Sequence, residues 1–521
     1  MALWKKMWLW LKRERVFAIL LLLFIIIRFY HFGGIPPGLN QDEAATGYDA
    51  FAVLKYGIDR IGFHNPIMFV SWGSGMYAIA GYLEMPFIWL FGLSPWSIRL
   101  PFAVVGILTL VIFYLLMRKT GDKKLSLLAT FLLAISPWHF MAYRWSLDSN
   151  LFPALFLFAV YFLVVGFERA WALIVSAVFF ALCLYAYGTA YVVVPGFLLL
   201  AAVYLLILKK VTFRSMFIPA VVFLLLSVPI ALYLLINKYD WDSINTFAFS
   251  IPHLTGPPRY ETISSVFSGN FIVSATGNLR TLWEMMVSQN DGLIWNSIPG
   301  YGLLYPFALP LIFIGLVLSI TDIFKGKKYA PSFLFTAWLL VSIALAALQS
   351  VNVNRINIIF IPLVYFLAVG VLYIGRQRIL LVTALTLYSL AFCSFTYHYF
   401  TKYQEEASGA FFESLDLAIN TASDSISGPV CVSDHINQPY IFVLFFRRTD
   451  PNVFIRTVQY EDPHAEFQSV KAFDRYVFGL QRCGEDAFDA YVYENGESLP
   501  EAARGFRTEQ FERYSVAIRP Q

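Results

Sequence analysis

The sequence predicts a mostly α-helical protein that crosses a membrane many times and ends in a small soluble α/β domain. Of its 521 residues, 58% are hydrophobic and only 14% are charged, whereas soluble domains carry roughly 25% charged residues. Long apolar runs recur up to residue 397. The rest contains 19 acidic and 11 basic side chains, as an ordinary soluble domain does. We therefore predict a transmembrane domain over residues 1–397 and a soluble domain over residues 398–521.

Eleven apolar segments approach the roughly 20 residues that a membrane-spanning helix needs. They are residues 16–32, 98–117, 125–140, 150–167, 171–187, 190–208, 215–236, 303–321, 331–349, 356–374 and 379–397. The first has basic flanks and no small-residue cleavage site, so we interpret it as a retained helix and not as a signal peptide. A twelfth segment, residues 77–93, is apolar but contains Glu84 and Pro86.

The basic residues decide whether residues 77–93 cross the membrane, because cytoplasmic loops carry an excess of lysine and arginine. If this segment does not cross, every basic loop is cytoplasmic; these loops contain Arg118, Arg169, Lys209, Lys325 and Arg376. We therefore expect about 11 transmembrane helices in the cell membrane, a cytoplasmic N-terminus and an extracytoplasmic C-terminal domain. Residues 77–93 then lie along the membrane or dip into it. The basic excess indicates cytoplasmic anchoring, and no nucleic acid partner is expected.

Two adjacent carboxylates, Asp42 and Glu43, lie in the first outer loop, residues 33–97. A charge close to hydrocarbon is costly, so acidic residues there indicate a functional site. The spacing of residues 42–55 predicts a juxtamembrane helix with Asn40 as its N-cap. The helix dipole favours the ionised form of a first-turn carboxylate, which suits a base. The alternative is an ordinary acidic first turn on a solvated helix.

Other charged residues fall on the same outer face. Asp148 follows Arg144 by four residues, so the two form either a surface ion pair or part of the site, in which Arg144 would bind the donor phosphate or sugar. Arg355 lies between two closely spaced spans, and Arg259 lies in the outer loop of residues 237–302. An arginine suits a phosphate because its planar guanidinium donates two parallel hydrogen bonds. Contact with anionic lipid headgroups is the alternative for both arginines.

Weaker candidates complete the predicted site. Lys55 is a further phosphate candidate on the predicted helix, and Trp72 is a candidate for stacking against a substrate ring. The sequence has no Cys or Cys/His spacing typical of zinc, so no metal is assigned and no cofactor is expected to be required. A divalent cation is not indicated.

The C-terminal domain gives three local predictions. Residues 428–432 and 440–446 are predicted strands, and residues 411–422 are a predicted amphipathic helix. Cys431 and Cys483 form either a disulfide bond or two free thiols.

The chain resembles the GT-C superfamily of polyprenyl-phosphate-dependent glycosyltransferases, in particular prokaryotic relatives of the protein O-mannosyltransferases and lipid A aminoarabinose transferases. The resemblance covers roughly residues 10–400. It rests on an ordered set of motifs at residues 42–43, 44–57, 72–75, 90–94, 99–101 and 136–139, followed by Arg144 and Asp148. The chain departs from the aminoarabinose transferases at residues 73–75, where those proteins carry an acidic residue followed by Lys-Pro.

The resemblance implies a cell-envelope enzyme that moves a sugar, with inversion, from a polyprenyl-phosphate donor to a hydroxyl acceptor on a protein, lipid or glycan. Asp42 would be the general base, and Glu43 would orient Asp42 or the acceptor. Asp148 matches the second acidic position. Arg355 would hold the donor phosphate, and Arg259 is a looser candidate.

A membrane transporter or flippase of a lipid-linked or small substrate is the alternative function. Transporters place charges near the middle of the membrane and use interrupted helices related by an internal repeat. This sequence has no such repeat, and its acidic residues cluster at one surface.

Overall fold

The structure is a computed structural model that describes most of the chain. The described residues are 13–70, 75–119, 122–256, 264–265, 269–325, 330–465, 468–484 and 488–520. Trp72 and Arg259, both predicted for the site, lie outside the described residues.

Helices dominate the first four hundred residues. They are α1 Arg15–Phe29, α2 Gln41–Tyr56, α3 Ile79–Phe91, α4 Pro95–Arg118, α5 Lys123–Ile135, α6 Pro137–Ala142, α7 Leu151–Val165, α8 Ala170–Leu184, α9 Ala190–Ile207, α10 Phe213–Tyr239, α11 Phe271–Ser288, α12 Ala308–Phe324, α13 Ala330–Leu348, α14 Val353–Ile356, α15 Phe360–Ile374 and α16 Arg378–Thr401. Short 3₁₀ turns at Asp148–Asn150 and Asn357–Ile359 precede α7 and α15, and two small hairpins pair β1 Met68–Phe69 with β2 Met76–Tyr77 and β3 Ile244–Asn245 with β4 Ser250–Ile251.

Seven helical segments in the described part are long and apolar enough to cross a membrane, and the chain is a multi-pass membrane protein. These segments are Pro95–Arg118, Asp148–Val165, Ala190–Ile207, Phe213–Tyr239, Pro331–Leu348, Val353–Ile374 and Arg378–Thr401. Shorter apolar helices occupy the predicted spans at residues 171–187 and 303–321. The mostly helical membrane fold is therefore confirmed, whereas the number of eleven crossings stays a prediction.

Helix α3 occupies the segment that the sequence left open, residues 77–93. Its 13 residues extend about 20 Å, which is shorter than the roughly 30 Å hydrocarbon core. Helix α5, which lies in a predicted span, has the same length, so the prediction that residues 77–93 lie along the membrane or dip into it rests on the loop charges.

The membrane helices pack closely where small residues allow it. Helices α12 and α15 touch at Gly315 and Gly370, where a Cβ atom on either glycine would overlap a backbone carbonyl of the other helix. Close approach at small residues is how helices associate in membranes, because apolar burial gives no advantage in lipid. This contact anchors α15, which follows the segment that carries Arg355.

The C-terminal domain is a mixed sheet with helices on it. Its helices are α17 Tyr403–Ala407, α18 Leu415–Ser425, α19 Pro439–Arg447 and α20 Pro451–Thr457, and its strands are β5 Val430–Val432, β6 Gln459–Tyr460, β7 Val470–Phe473, β8 Tyr476–Phe478, β9 Ala490–Glu494, β10 Arg507–Gln510 and β11 Tyr514–Ile518. The strand order is β10-β11-β9-β5-β8-β7-β6, and β5 runs parallel to both neighbours. The predicted α/β domain is confirmed, and a disulfide bond joins Cys431 to Cys483.

One predicted element of this domain is wrong. Residues 440–446 were expected to form a strand, but they belong to α19. Nearly all of this run is buried, so it shows no polar face. A short run that is apolar throughout does not distinguish a helix from a strand. The predicted helix at residues 411–422 is present but begins later, at Leu415.

The C-terminal domain packs directly on the first outer loop. Leu39 N donates to Phe411 O at 2.6 Å, and the side chain of Asn40 donates to Ala410 O at 3.1 Å. Tyr48 of α2 donates to a carbonyl of the domain at 2.7 Å. The domain therefore contacts the same helix that begins beside Asp42.

Candidate active site

Helix α2 places Asp42 in its first turn. The side chain of Asn40 accepts from Asp42 N at 3.0 Å, and Asn40 N donates to Glu43 Oε2 at 3.1 Å. This reciprocal pair is a capping box, which fixes where a helix begins. Asp42 is half-buried and lines a cavity.

The neighbouring residue, Glu43, is fully buried and is not among the residues that line that cavity. Arg99 donates to both Glu43 oxygens, from Nε at 2.8 Å and from Nη2 at 2.7 Å. Ser146 N donates to Oε1 at 2.8 Å. With Asn40 N, four donors surround one carboxylate, so Glu43 ties the start of α2 to Arg99 and to Ser146.

The cavity has a volume of about 390 Å³ and brings together residues that are far apart in the sequence. Asp42, Asp148 and Arg355 all line it. Other lining residues come from the starts of α7 and α9 and from the ends of α10 and α13. These helix ends lie on one side of the helical bundle, as the predicted topology requires for outer-face residues.

Asp148 and Arg355 lie on two turns that are hydrogen-bonded to each other. Asp148 begins a 3₁₀ turn, and its Oδ1 accepts from Ser149 N at 2.6 Å. Arg355 lies on α14, which Asn352 caps by accepting from Arg355 N at 2.9 Å. Asn357, two residues after Arg355, donates to Ser149 O at 2.7 Å. The acidic and basic groups are thus fixed in a common framework.

Arg144 is predicted to bind substrate, but the structure places it outside the cavity. Its guanidinium is buried and donates to the carbonyls of Arg28, Tyr30, His31 and Ile35. These carbonyls lie at and after the end of α1, where the helix dipole attracts a cation. Arg144 therefore binds the carbonyls at the end of the first helix, which is a structural role, and not Asp148 as expected.

Lys55 also lies away from the cavity. It is exposed near the far end of α2, where its Nζ lies 5.4 Å from the ring centre of Phe51 and 5.1 Å from that of Tyr56. Thirteen residues of helix separate it from Asp42, a rise of about 20 Å. The geometry therefore does not place Lys55 with the phosphate candidates.

A second buried acidic cluster lies farther along the same loop. Asp49 and Arg60 form an ion pair at 3.2 Å, and Asp59 Oδ1 accepts from two backbone N–H groups. Burial raises the pKa of Asp49 to about 6. Burial and the neighbouring Asp49 raise the pKa of Asp59 to about 7. Tyr440 and Tyr460 of the C-terminal domain are close enough to Arg60 to affect the pKa of its guanidinium. This cluster therefore belongs to the interface with that domain.

Sequence reasoning missed several residues of the site. Arg99 was noted only within a family motif, and nothing in its spacing pairs it with Glu43. Tyrosines and hydroxyl side chains from the start of α9 also line the cavity. They belong to apolar segments, where a tyrosine or threonine is not conspicuous. Glu84, in the apolar segment of residues 77–93, is buried and accepts from Ser146 Oγ at 2.5 Å.

Comparison with known proteins gives the fold a name. The crystal structure of ArnT from Cupriavidus metallidurans bound to undecaprenyl phosphate matches with a TM-score of 0.54 and 11% identity, over 98% of this chain and 100% of that chain. The archaeal oligosaccharyltransferase AglB from Archaeoglobus fulgidus, in complex with an inhibitory peptide and a dolichol-phosphate, matches with a TM-score of 0.51 and 13% identity over 84% of this chain. This chain has a GT-C fold.

The sequence comparison agrees with this GT-C fold. Residues 79–234 match the family described as dolichyl-phosphate-mannose-protein mannosyltransferase. The matched region contains Asp148 but ends before Arg355 and begins after Asp42. The chain spans 63–64% of the length of the AglB chains. No curated protein sequence matches this chain significantly. The resemblance predicted from the sequence motifs is confirmed.

Proposed function

We propose that this chain is an integral-membrane inverting glycosyltransferase that moves a sugar from a polyprenyl-phosphate carrier to a hydroxyl acceptor. The observation that carries the proposal is the single cavity lined by Asp42, Asp148 and Arg355. A transfer of this kind needs a base for the acceptor and a cation for the leaving phosphate. The cavity supplies both types of group from distant parts of the chain.

The reaction has one chemical step. The acceptor hydroxyl oxygen attacks the anomeric carbon of the sugar, and Asp42 takes the hydroxyl proton. The bond between the anomeric carbon and the phosphate oxygen breaks, and its electron pair leaves with the polyprenyl phosphate. Attack opposite to the leaving group inverts the anomeric configuration. Arg355 pairs with the charge on the departing phosphate, and Asp148 orients the acceptor or the sugar.

The cavity opens on the outer side of the membrane in this proposal. Helices α10 and α13 line the cavity with residues near their C-terminal ends. The basic residues Lys209, Lys210 and Arg214 lie at the N-terminal end of α10, and Lys325 precedes the N-terminal end of α13. Basic loops are cytoplasmic. The Cys431–Cys483 bond in the C-terminal domain agrees with this orientation, since disulfides persist in oxidising spaces outside the cytoplasm.

The test is sugar release or transfer by the purified protein from a panel of polyprenyl-phosphate sugars. Wild type should consume at least one donor, whereas Asp42→Asn should lower turnover by about a hundredfold or more, because a general base contributes roughly 10²–10⁴-fold. Hydrolysis to free sugar is measured as well as transfer, so an unknown acceptor does not hide activity.

A matched control separates a lost base from a lost surface charge. Glu284→Gln replaces an exposed carboxylate on α11 that pairs with Arg280, and it should turn over donor like wild type. Full turnover by Asp42→Asn would remove Asp42 as the base. Movement of a lipid-linked sugar across vesicles without any covalent product would favour the transporter alternative.

A further inference from the structure

Six of the residues that line the cavity carry uncharged hydroxyl groups. They are Tyr77, Ser149, Tyr187, Thr189, Tyr191 and Tyr233, and we refer to them together as the hydroxyl wall. The charged lining groups Asp42, Asp148 and Arg355 occupy other positions of the same cavity. Because Ser149 directly follows Asp148, the hydroxyl wall adjoins the proposed reaction centre.

Three hydroxyls of this wall, Ser149 Oγ, Thr189 Oγ1 and Tyr191 Oη, are buried and have no hydrogen-bond partner within the described chain. Two of them belong to the small residues Ser149 and Thr189, which are 1% and 5% exposed. Thr189 occupies the N-cap position of α9, where threonine normally accepts from a backbone N–H. Here its backbone is already helical, and its side chain makes no capping bond. The hydroxyl is therefore available to a ligand. A buried polar group without a partner costs about 1–3 kcal/mol, which a ligand hydroxyl would relieve.

The tyrosines of the wall are held by close contacts with glycine. A Cβ atom added to Gly188 would lie 2.5 Å from Tyr77 Oη, and one added to Gly75 would lie 2.6 Å from Tyr233 Oη. The ring centres of Tyr77 and Tyr187 are 5.9 Å apart, and those of Tyr77 and Tyr191 are 6.4 Å apart. These rings form an aromatic surface in the cavity that Ser149 and Thr189 also line.

A sugar ring has the surface that this wall complements, with apolar C–H faces and hydroxyl groups along its edge. Ligand sites combine aromatic walls with a few polar groups that fix orientation. We propose that the hydroxyl wall is the glycosyl subsite of the cavity and takes an uncharged sugar ring, with Ser149 and Thr189 paired to its hydroxyl groups. The proposal rests on the proposed function and adds the class of sugar and the residues that select it.

An acidic sugar does not fit this wall. A uronic acid would place a carboxylate against uncharged groups and close to Asp148, and like charges at short range repel. An amino sugar, by contrast, would not be repelled by Asp148. A donor that carries an amino sugar is therefore included in the test, because a preference for it would contradict a subsite for uncharged sugars.

The experiment compares full-length wild type with Thr189→Val and Ser149→Ala. Both variants remove one hydroxyl and leave the shape of the side chain nearly unchanged. The donors are polyprenyl phosphates carrying mannose, glucose, galactose, glucuronic acid or glucosamine, and the ligand without sugar is polyprenyl phosphate alone. We expect wild type to prefer a neutral hexose and Thr189→Val to lower kcat/KM for it about tenfold, the value of one hydrogen bond at the upper end of its range. Affinity for polyprenyl phosphate alone should stay within about twofold of wild type.

Deoxy sugars identify the contacted group. If Thr189 pairs with one hydroxyl of the sugar ring, the donor that lacks this hydroxyl cannot form the contact. With that donor, Thr189→Val should therefore have the same kcat/KM as wild type. A loss of the same size with every monodeoxy donor would overturn the pairing. Gly188→Ala provides an independent variant, because the new methyl group displaces the Tyr77 hydroxyl; it should raise KM for the hexose donor.

Two results would overturn the subsite. The first is an equal loss of affinity for glycosylated and bare carrier in the Thr189 and Ser149 variants, which would assign these hydroxyls to the carrier. The second is a wild-type preference for glucuronic acid or glucosamine. If wild type turns over donor in the same assays, either result removes the subsite and leaves the proposed function intact. If wild type consumes no donor of a broad panel, the proposed function and the subsite both fail.

Discussion

At the scale of single residues, two adjacent carboxylates have different environments and therefore different roles. Asp42 lines a cavity, whereas Glu43 is enclosed by Arg99, Ser146 N and Asn40 N. Removing one partner of a buried ion pair leaves an uncompensated charge, which costs about 3–5 kcal/mol. We therefore expect a substitution of Glu43 to lower stability, and a substitution of Asp42 to lower activity while stability stays close to that of wild type.

Glu43→Gln should lower the thermal unfolding temperature of the purified protein by several degrees, because the Arg99 guanidinium loses its buried counter-charge. Asp42→Asn should unfold close to the wild-type temperature, since the side chain keeps its shape and its position on the cavity. Unfolding is followed by intrinsic fluorescence in detergent. Equal unfolding temperatures for Glu43→Gln and wild type would show that the pair contributes little stability.

Arg355→Ala should weaken binding of the donor through its phosphate. A charge-assisted hydrogen bond is worth about 1.5–3 kcal/mol, so affinity for polyprenyl phosphate should fall roughly tenfold to a hundredfold. Arg355→Lys keeps the charge but loses the planar fork, so it should recover part of the affinity. Arg280→Ala, which removes an exposed arginine on α11, is the control. Unchanged affinity in Arg355→Ala would assign the phosphate to another group.

At the scale of elements, the start of α2 is held from two directions. The side chain of Asn40 accepts from Asp42 N and donates to Ala410 O of the segment that leads into the C-terminal domain. Leu39 N donates to Phe411 O beside it. The position of Asp42 therefore depends on a contact between residues nearly four hundred positions apart.

Asn40→Ala removes both contacts, whereas Asn40→Asp keeps the helix cap and loses only the donor to Ala410 O. We expect kcat to fall by about tenfold to a hundredfold in Asn40→Ala and by less in Asn40→Asp, because small displacements of a catalytic group are costly. KM for the donor should change little in either variant. Asp450→Ala removes the cap of α20 and serves as a control with a similar stability loss of about 1 kcal/mol. An equal fall of kcat in this control would make the effect one of stability alone.

The sequence predicts the helices, the α/β tail and the segments that contain Asp42, Asp148 and Arg355, because apolar length and loop charge are local signals. The side-chain environments are not local. Arg144 pairs with carbonyls more than a hundred positions earlier, so its spacing from Asp148 was misleading. The apolar run at residues 440–446 has no periodicity to distinguish helix from strand. The hydroxyl wall is assembled from separate segments whose tyrosines resemble those of ordinary membrane helices.

At the scale of the whole molecule, the C-terminal domain and the first outer loop enclose a buried cluster of ionisable groups. Asp49, Asp59 and Arg60 lie on the loop, and Tyr440 and Tyr460 approach them from the domain. Asp49 pairs with the Arg60 guanidinium, whereas Asp59 accepts from two backbone N–H groups. When both carboxylates are ionised, the cluster therefore contains two buried negative charges for one guanidinium. The pKa values of about 6 for Asp49 and about 7 for Asp59 express that cost.

The sign of the pH effect follows from these raised values. An unfolded aspartate has a pKa near 3.9, so between pH 4 and pH 7 the folded protein binds more protons than the unfolded chain. Folding stability then decreases as the pH rises through this range and changes no further above the folded pKa. For Asp59 alone the full effect is at most about 4 kcal/mol, since one pKa unit corresponds to about 1.4 kcal/mol.

Asp59→Asn should therefore stabilise the protein, and by more at pH 8 than at pH 5. Asparagine imitates the protonated carboxyl and keeps the oxygen that accepts from Ile61 N and Phe63 N, but it never ionises. Unfolding temperatures of wild type and variant are compared in detergent from pH 5 to pH 8. Asp59→Ala, which also loses those two hydrogen bonds, should be less stable than Asp59→Asn at every pH. A difference between Asp59→Asn and wild type that does not grow with pH would contradict a raised pKa of Asp59 at the interface between the C-terminal domain and the first outer loop.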